Sequence, residues 1–141
     1  MIILAADMDM AAAIAVIDES QDALLRMIWP GPVSVMLQAA KGIDPLLAPG
    51  GKIALRISSN SLATSLVGLA GPITSTSANR SGEPPARRAL EVEGCGMDID
   101  AILDGGQTPG GKPSTLIDLT VRPPRCLMEV AVPFQDLLGL I

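Results

Sequence analysis

Small hydroxyl side chains are concentrated in one stretch of this otherwise apolar chain, GPITSTSANRSGEPP at residues 71–85. If residues 73–78 are extended, their side chains alternate between two faces, and Ser77 and Asn79 come at the carboxyl end of the strand. Turn-forming residues follow and expose backbone N–H groups beside these hydroxyls. Such groups suit phosphate or carboxylate oxygens. A strand edge whose hydroxyls bond locally to the backbone explains the stretch equally well.

Two further stretches carry side chains that could hold an anion. In KIALRIS (52–58), Arg56 lies on the polar side of a predicted strand, where a guanidinium could bind a carboxylate or a phosphate through two hydrogen bonds. In DGGQTPGGKPSTLID (104–118), glycines and Lys112 lead into Ser114 and a strand, without the spacing of a P-loop. The plain structural alternatives are a solvent-exposed arginine and a long hairpin loop.

The composition excludes several kinds of chemistry. The chain has 141 residues and no His, which excludes Ser-His-Asp catalysis and imidazole acid-base chemistry. Cys95 and Cys126 lack metal-binding or CxxC spacing, so we predict reduced thiols in a cytoplasmic protein. The net charge of -5 argues against non-specific nucleic-acid binding, and no apolar run is long enough to span a membrane.

Hydrophobic periodicity predicts an α/β (α+β) fold in which helices pack on a mixed sheet, within a single domain over residues 1–141. The predicted strands are IILAA, VSVMLQA, KIALRIS, GPITSTSA, DAILDGG, STLIDLT and a last strand within RPPRCLMEVA. The predicted helices are MAAAIAVI after Asp7 or Asp9, DESQDALLRMIW with Asp18 as N-cap, SLATSLVGLA after Asn60, RRALEVE and VPFQDLLGLI.

Five stretches, taken in order, resemble the signatures of the YrdC-like family, the threonylcarbamoyl-AMP synthases. They are WPGPVSVML, KIALRIS, GPITSTSANRSGEPP, ILDGGQTPGGKPSTLIDLT and EVAVPFQDL. The resemblance implies a twisted mixed sheet with flanking helices around a ligand cavity. It also implies an enzyme that converts L-threonine, bicarbonate and ATP, with Mg²⁺, to threonylcarbamoyl-AMP and pyrophosphate for the threonylcarbamoyladenosine modification of tRNA.

The resemblance further assigns roles to individual residues of this chain. It implies that L-threonine is bound by Arg56, Ser77 and Ser114. It implies that the nucleotide is bound by Asn79, Lys52 and Arg87. None of these roles needs a covalent intermediate, since positioning and charge stabilisation are sufficient for this phosphate chemistry.

Two departures from the family pattern keep a second hypothesis open. The family carries a threonine-rich strand with a lysine and an arginine before the position of Met1, so we expect an amino-terminally truncated domain with impaired activity. The late arginine of the family falls at Met128, which cannot bind phosphate as a cation. The two hypotheses are therefore a nucleotidyltransferase, and a family member that binds nucleotide, tRNA or double-stranded RNA without turnover.

Overall fold

The computed structural model describes residues 1–80, 82–110 and 113–140. The chain forms two compact units. The sheet unit comprises residues 1–75 and 112–141, and the loop unit comprises residues 76–111. Every strand that the structure describes belongs to the sheet unit, and the helix described within the loop unit is α4 (Ala89–Gly94).

Seven strands of the described residues form one mixed sheet, which confirms the predicted α/β class. The strands are β1 (Ile2–Ala5), β2 (Ala15–Val16), β3 (Val33–Ala39), β4 (Lys52–Ile57), β5 (Ile73–Ser75), β6 (Thr115–Asp118) and β7 (Arg125–Met128). Their order is β5-β1-β4-β3-β6-β7, and β2 pairs with β3. The pairs β1–β4 and β3–β6 are parallel, whereas the other pairs are antiparallel.

The remaining helices belong to the sheet unit, and most begin at the predicted capping residues. They are α1 (Met8–Ile14), α2 (Glu19–Ile28), α3 (Ser61–Ala70) and α5 (Phe134–Leu138). Asp7, Asp18 and Asn60 each accept a hydrogen bond from a backbone N–H of the first turn that follows. Among the described residues, no helix combines the length and the apolar composition needed to cross a bilayer.

The closing helix predicted over 132–141 is shorter in the described residues, Phe134–Leu138. Three other predicted elements differ from the structure because of strand pairing. Helix α1 ends at Ile14 rather than at residue 17, because Ala15 and Val16 pair with β3. The strand predicted over 71–78 is only β5, because its partner β1 begins at Ile2, opposite Ser75. The strand predicted over 100–106 does not form, since no described strand of the loop unit offers it a partner.

One face of the sheet forms the apolar core. Alternate residues of β1, β3, β4 and β6 point to this face and pack against apolar residues of α1, α2 and α5. The most enclosed side chains include Val35, Leu37, Ile53, Leu55 and Ile117. With one Phe and one Trp in the chain, this core is aliphatic, as the composition predicts.

The opposite face, called the polar face below, carries the alternate residues of the same strands. Its members are Ile2, Leu4, Ser34, Met36, Gln38, Lys52, Ala54, Arg56, Leu116 and Asp118. Lys52 and Asp118 lie on β4 and β6, on either side of β3, with Nζ 3.3 Å from Oδ2. This ion pair joins two strands that share no ladder hydrogen bonds.

The pKa of Asp118 is lowered in the folded protein. Burial raises it, but hydrogen bonds from the hydroxyl and backbone N–H of Thr120, together with the ammonium of Lys52, outweigh that effect. A lowered folded pKa means that the carboxylate stabilises the fold above its unfolded pKa. This contribution is lost as the pH falls through the folded pKa.

The aliphatic core makes a first prediction. Leu55→Ala removes a fully buried side chain from the central strand β4 and should lower the free energy of unfolding by about 2–5 kcal/mol. Leu46→Ala makes the same chemical change at an 83% exposed position and should change it by less than about 0.5 kcal/mol. Urea unfolding followed by circular dichroism measures both, and equal effects would contradict the assigned core.

The ion pair across β3 makes a second prediction. Asp118→Asn should lower the free energy of unfolding at pH 7 by about 1–3 kcal/mol, and the difference from the wild type should shrink below about pH 4. Asp98→Asn, at an exposed position, is the matched control and should have little effect at either pH. Urea unfolding at pH 7 and pH 3 provides the measurement. A pH-independent loss in Asp118→Asn would show that the carboxylate charge does not matter.

Candidate functional site

Arg56 is a half-buried cation near the carboxyl end of β4. Its Nε donates to the backbone oxygen of Gly31 at 2.8 Å, and the N–H of Gly31 donates to the backbone oxygen of Ile57 at 3.0 Å. The Trp-Pro-Gly-Pro turn is thereby joined to the end of β4. Only glycine fits here, because a Cβ on Gly31 would lie 2.4 Å from the backbone oxygen of Ile28.

No carboxylate neutralises Arg56 within the part of the chain that the structure describes. Burial lowers the pKa of Arg56, but a guanidinium stays protonated in proteins at any ordinary pH. A partly desolvated cation without a protein counter-ion is costly unless an anion approaches it. Arg56 is therefore suited to bind an anionic group of a ligand.

Ser114 lies beside the polar face, just before β6, and is 5% exposed. Its Oγ is 2.7 Å from the Oγ of Ser34, which is fully buried in β3. The register that pairs Val35 with Leu55 places Ser34 opposite Arg56 on the polar face. The structure thus brings Arg56 and Ser114 to two sides of Ser34, a residue that the sequence analysis did not single out.

Lys52 occupies the opposite end of β4 from Arg56. The two side chains share the polar face but lie four residues apart, roughly 13 Å along an extended strand. Because Lys52 is paired with Asp118, its charge is already balanced, unlike that of Arg56. Lys112, noted in the glycine-rich stretch, lies outside the described residues.

Asn79 is held in a tight turn of the loop unit. Its Nδ2 donates to the backbone oxygens of Arg80 and Glu83, both at 2.9 Å. Its Oδ1 is buried and has no hydrogen-bond partner among the described residues. Ser77 is exposed nearby, and its backbone oxygen accepts from the N–H of Asn79 at 3.1 Å. A buried acceptor without a partner is stabilised when an N–H or O–H group donates a hydrogen bond to it.

Arginine side chains hold the loops of this unit by their backbone oxygens. Arg80 donates to the oxygens of Cys95 and Gly96 at 2.7 and 3.0 Å. Arg87 donates from Nη2 to the oxygen of Pro109 at 2.9 Å, and a Cβ on Gly110 would lie 2.7 Å from its Nε. Part of the hydrogen-bonding capacity of Arg87 therefore supports the glycine-rich loop.

Potential metal ligands are not clustered in the part of the chain that the structure describes. In residues 1–80, 82–110 and 113–140, no three Cys, Asp or Glu side chains lie close enough to hold a metal ion together. Cys95 and Cys126 are free thiols, as predicted. These residues do not provide a dedicated protein cage for Mg²⁺, an ion that commonly binds through substrate phosphates with only one or two carboxylates.

A cavity outside the predicted site lies near these strands. It has a volume of about 570 Å³ and lies beyond the carboxyl ends of β1 and β4. Its lining includes Asp9, Arg26, Trp29, Ser58 and Thr64. None of the six predicted site residues lines it, so this cavity does not support the assigned ligand roles.

Comparisons with known proteins agree on one family. The Sua5/YciO/YrdC family model, described as "Telomere recombination", matches residues 1–129. The threonylcarbamoyl-AMP synthase of Pyrococcus abyssi is 35% identical over 125 residues, which are 86% of this chain and 36% of that protein. The threonylcarbamoyl-AMP synthase of Chromohalobacter salexigens is 36% identical over 122 residues, which are 84% of this chain and 66% of that protein. The chain therefore spans less than two thirds of each relative.

Solved structures show the same relationship. The crystal structure of P. abyssi Sua5 complexed with L-threonine matches with a TM-score of 0.89 at 32% identity, over 99% of this chain and 42% of that chain. E. coli YciO matches with a TM-score of 0.84 at 24% identity, over 96% of this chain and 68% of that chain, which shows likeness of fold alone. Since the family model covers residues 1–129 of the 141 and two synthases are at least 35% identical over most of the chain, the chain belongs to the Sua5/YciO/YrdC family.

Proposed function

We propose that this chain binds L-threonine and ATP as part of a threonylcarbamoyl-AMP synthase of the cytoplasm, in the pathway of tRNA threonylcarbamoyladenosine modification. The observation that carries the proposal is the half-buried guanidinium of Arg56, which has no carboxylate partner among the described residues. Two relatives more than 30% identical to the chain are named as synthases, and P. abyssi Sua5 was crystallised with L-threonine.

The α-carboxylate of L-threonine is the group that fits Arg56. A guanidinium can bind a carboxylate through two parallel N–H donors, and Nε of Arg56 is already oriented by Gly31. The hydroxyl of Ser114 adds a neutral donor. Ser77, a residue of the loop unit, is proposed for L-threonine on the family resemblance alone. Held by its carboxylate, L-threonine keeps its amino group free to react with bicarbonate.

ATP would use the remaining predicted residues. The buried Oδ1 of Asn79 can accept from an N–H or O–H of the nucleotide, and Arg87 keeps guanidinium donors beyond the one that holds Pro109. Lys52 is the weakest of the three, because Asp118 already balances its charge. We treat Mg²⁺ as part of the MgATP substrate, carried by its phosphates.

The products define the step that these residues must support. Carboxylation of the threonine nitrogen by bicarbonate gives an N-carboxylate, with loss of water. An oxygen of that carboxylate then attacks the α-phosphorus of ATP, and the bond to the β-phosphate breaks to release pyrophosphate. Alignment of the two reactants and stabilisation of negative charge are the contributions expected from the protein.

Met128 favours the second candidate, a family member that binds nucleotide or RNA without turnover. The register pairs Met128 of β7 with Leu116 of β6, so its side chain lies on the side of the sheet that carries Arg56. By resemblance, an arginine occupies this position in the family. A thioether cannot replace the charge-assisted hydrogen bonds of a guanidinium to phosphate.

The RNA partner proposed under this second candidate is tRNA or double-stranded RNA. Because RNA binding depends on phosphate contacts, a gel shift with tRNA should weaken steeply as salt increases. A shift that is absent, or insensitive to salt, would count against RNA as a partner.

The role of Arg56 makes a third prediction. Arg56→Ala should weaken binding of L-threonine by about 10- to 100-fold, because it removes a charge-assisted contact to the carboxylate. Arg26→Ala, which removes an exposed arginine paired with Asp22, should leave the affinity unchanged. Isothermal titration calorimetry with L-threonine measures both variants. Unchanged affinity in Arg56→Ala, with normal binding by the wild type, would remove Arg56 from the site.

The position of Met128 makes a fourth prediction, which concerns the affinity for ATP. Met128→Arg should strengthen ATP binding by about 10-fold or more. Leu46→Arg adds the same charge at an exposed position of the loop between β3 and β4 and should have little effect. Calorimetry with ATP measures the affinity. An equal gain in affinity in both variants would show that the effect comes from the added charge and not from its position at residue 128.

Pyrophosphate release reports on turnover in the same proteins. Release by the wild type that requires both L-threonine and bicarbonate, at about 1 per second or faster, supports the enzyme. ATP binding without such release in the wild type supports the second candidate.

A further inference from the structure

Ser34 is a buried hydroxyl whose one described side-chain partner is distant in sequence. It is fully enclosed in β3, and its Oγ lies 2.7 Å from that of Ser114, 80 residues further along the chain. Its flanking strands are β4 and β6, where the register places Arg56 on one side and Leu116 on the other. Ser34 therefore lies between the two sheet-unit residues to which we assign the threonine carboxylate.

Either hydroxyl of this pair can donate to the other, and the two directions differ in what they leave for a ligand. A serine hydroxyl has one proton to donate and two lone pairs that accept. Within the described residues, Ser34 Oγ has no acceptor other than Ser114 Oγ, and a buried donor without an acceptor is costly. Ser114 is 5% exposed whereas Ser34 is fully buried, so donation from Ser34 to Ser114 is the arrangement that leaves a proton, that of Ser114, for an acceptor outside the pair.

We propose that Ser34 is a positioning residue for L-threonine recognition. By donating to Ser114 Oγ, it selects the rotamer of Ser114 and directs the proton of that hydroxyl towards the ligand carboxylate. This inference rests on the proposed function, because it requires Ser114 to contact L-threonine. A hydroxyl that already accepts a hydrogen bond is also polarised into a better donor, so the buried pair strengthens the contact as well as orienting it.

A double-mutant cycle tests the coupling between the two hydroxyls. Ser34→Ala alone should weaken L-threonine binding by about 3- to 12-fold, the effect of one neutral hydrogen bond. In a Ser114→Ala background, the same change should have almost no effect, because no hydroxyl remains to be positioned. A role confined to the packing of β3 would instead weaken binding equally in both backgrounds. Calorimetry with L-threonine provides all four affinities.

Two further variants keep the test independent of folding. Ser34→Cys nearly preserves the volume but supplies a weaker donor, so it should lose affinity while its urea unfolding stays close to that of the wild type. Ser65→Ala makes the serine-to-alanine change at an exposed position of α3 and should bind L-threonine normally. Wild-type affinity in both Ser34→Ala and Ser34→Cys would overturn the positioning role.

The same titrations distinguish an error in the role of Ser34 from an error in the proposed function. If the wild type binds L-threonine but the Ser34 variants are unaffected, the positioning role is wrong and the proposed function stands. If the wild type produces no heat with L-threonine at millimolar concentration, the proposed function is wrong and the positioning role falls with it.

Discussion

The strict alternation of side chains along β3, β4 and β6 is the constraint on which both the core and the proposed site depend. Because β3 pairs with β4 and β6 at once, a shift of one residue would exchange the two faces of the sheet. Val35, Leu55 and Ile117 cannot leave the aliphatic core without a large loss of hydrophobic free energy. Their burial therefore holds Ser34 and Arg56 on the opposite face.

Two cations on one face of β4 illustrate how surroundings decide the use of a charge. Lys52 is balanced by Asp118 across β3, so its contribution is to the cohesion of the sheet. Arg56 is oriented by a backbone oxygen, which fixes its direction without neutralising it. The same strand thus supplies a structural ion pair at one end and an available guanidinium at the other. In the loop unit, Arg87 has a structural role, because its Nη2 donates to the backbone oxygen of Pro109.

Local signals in the sequence predicted most of the elements correctly. The caps at Asp18 and Asn60 depend on residues within three positions, so a single stretch contains all the necessary information. Strand ends were predicted less well, because a strand exists only as far as its partner does. Residues 76–78 have strand-like side chains but extend past the first residue of β1, and residues 100–106 have no described partner strand.

The sequence by itself determined the fold class, the aliphatic core, the absence of histidine chemistry and the motif order that indicates the family, because each of these depends on residue types and short spacings. Only the tertiary structure decided which polar residues meet. Ser34 contacts Ser114 across 80 residues, and Lys52 contacts Asp118 across 66. Such contacts follow from strand order and register, which result from packing the whole sheet rather than from any local pattern.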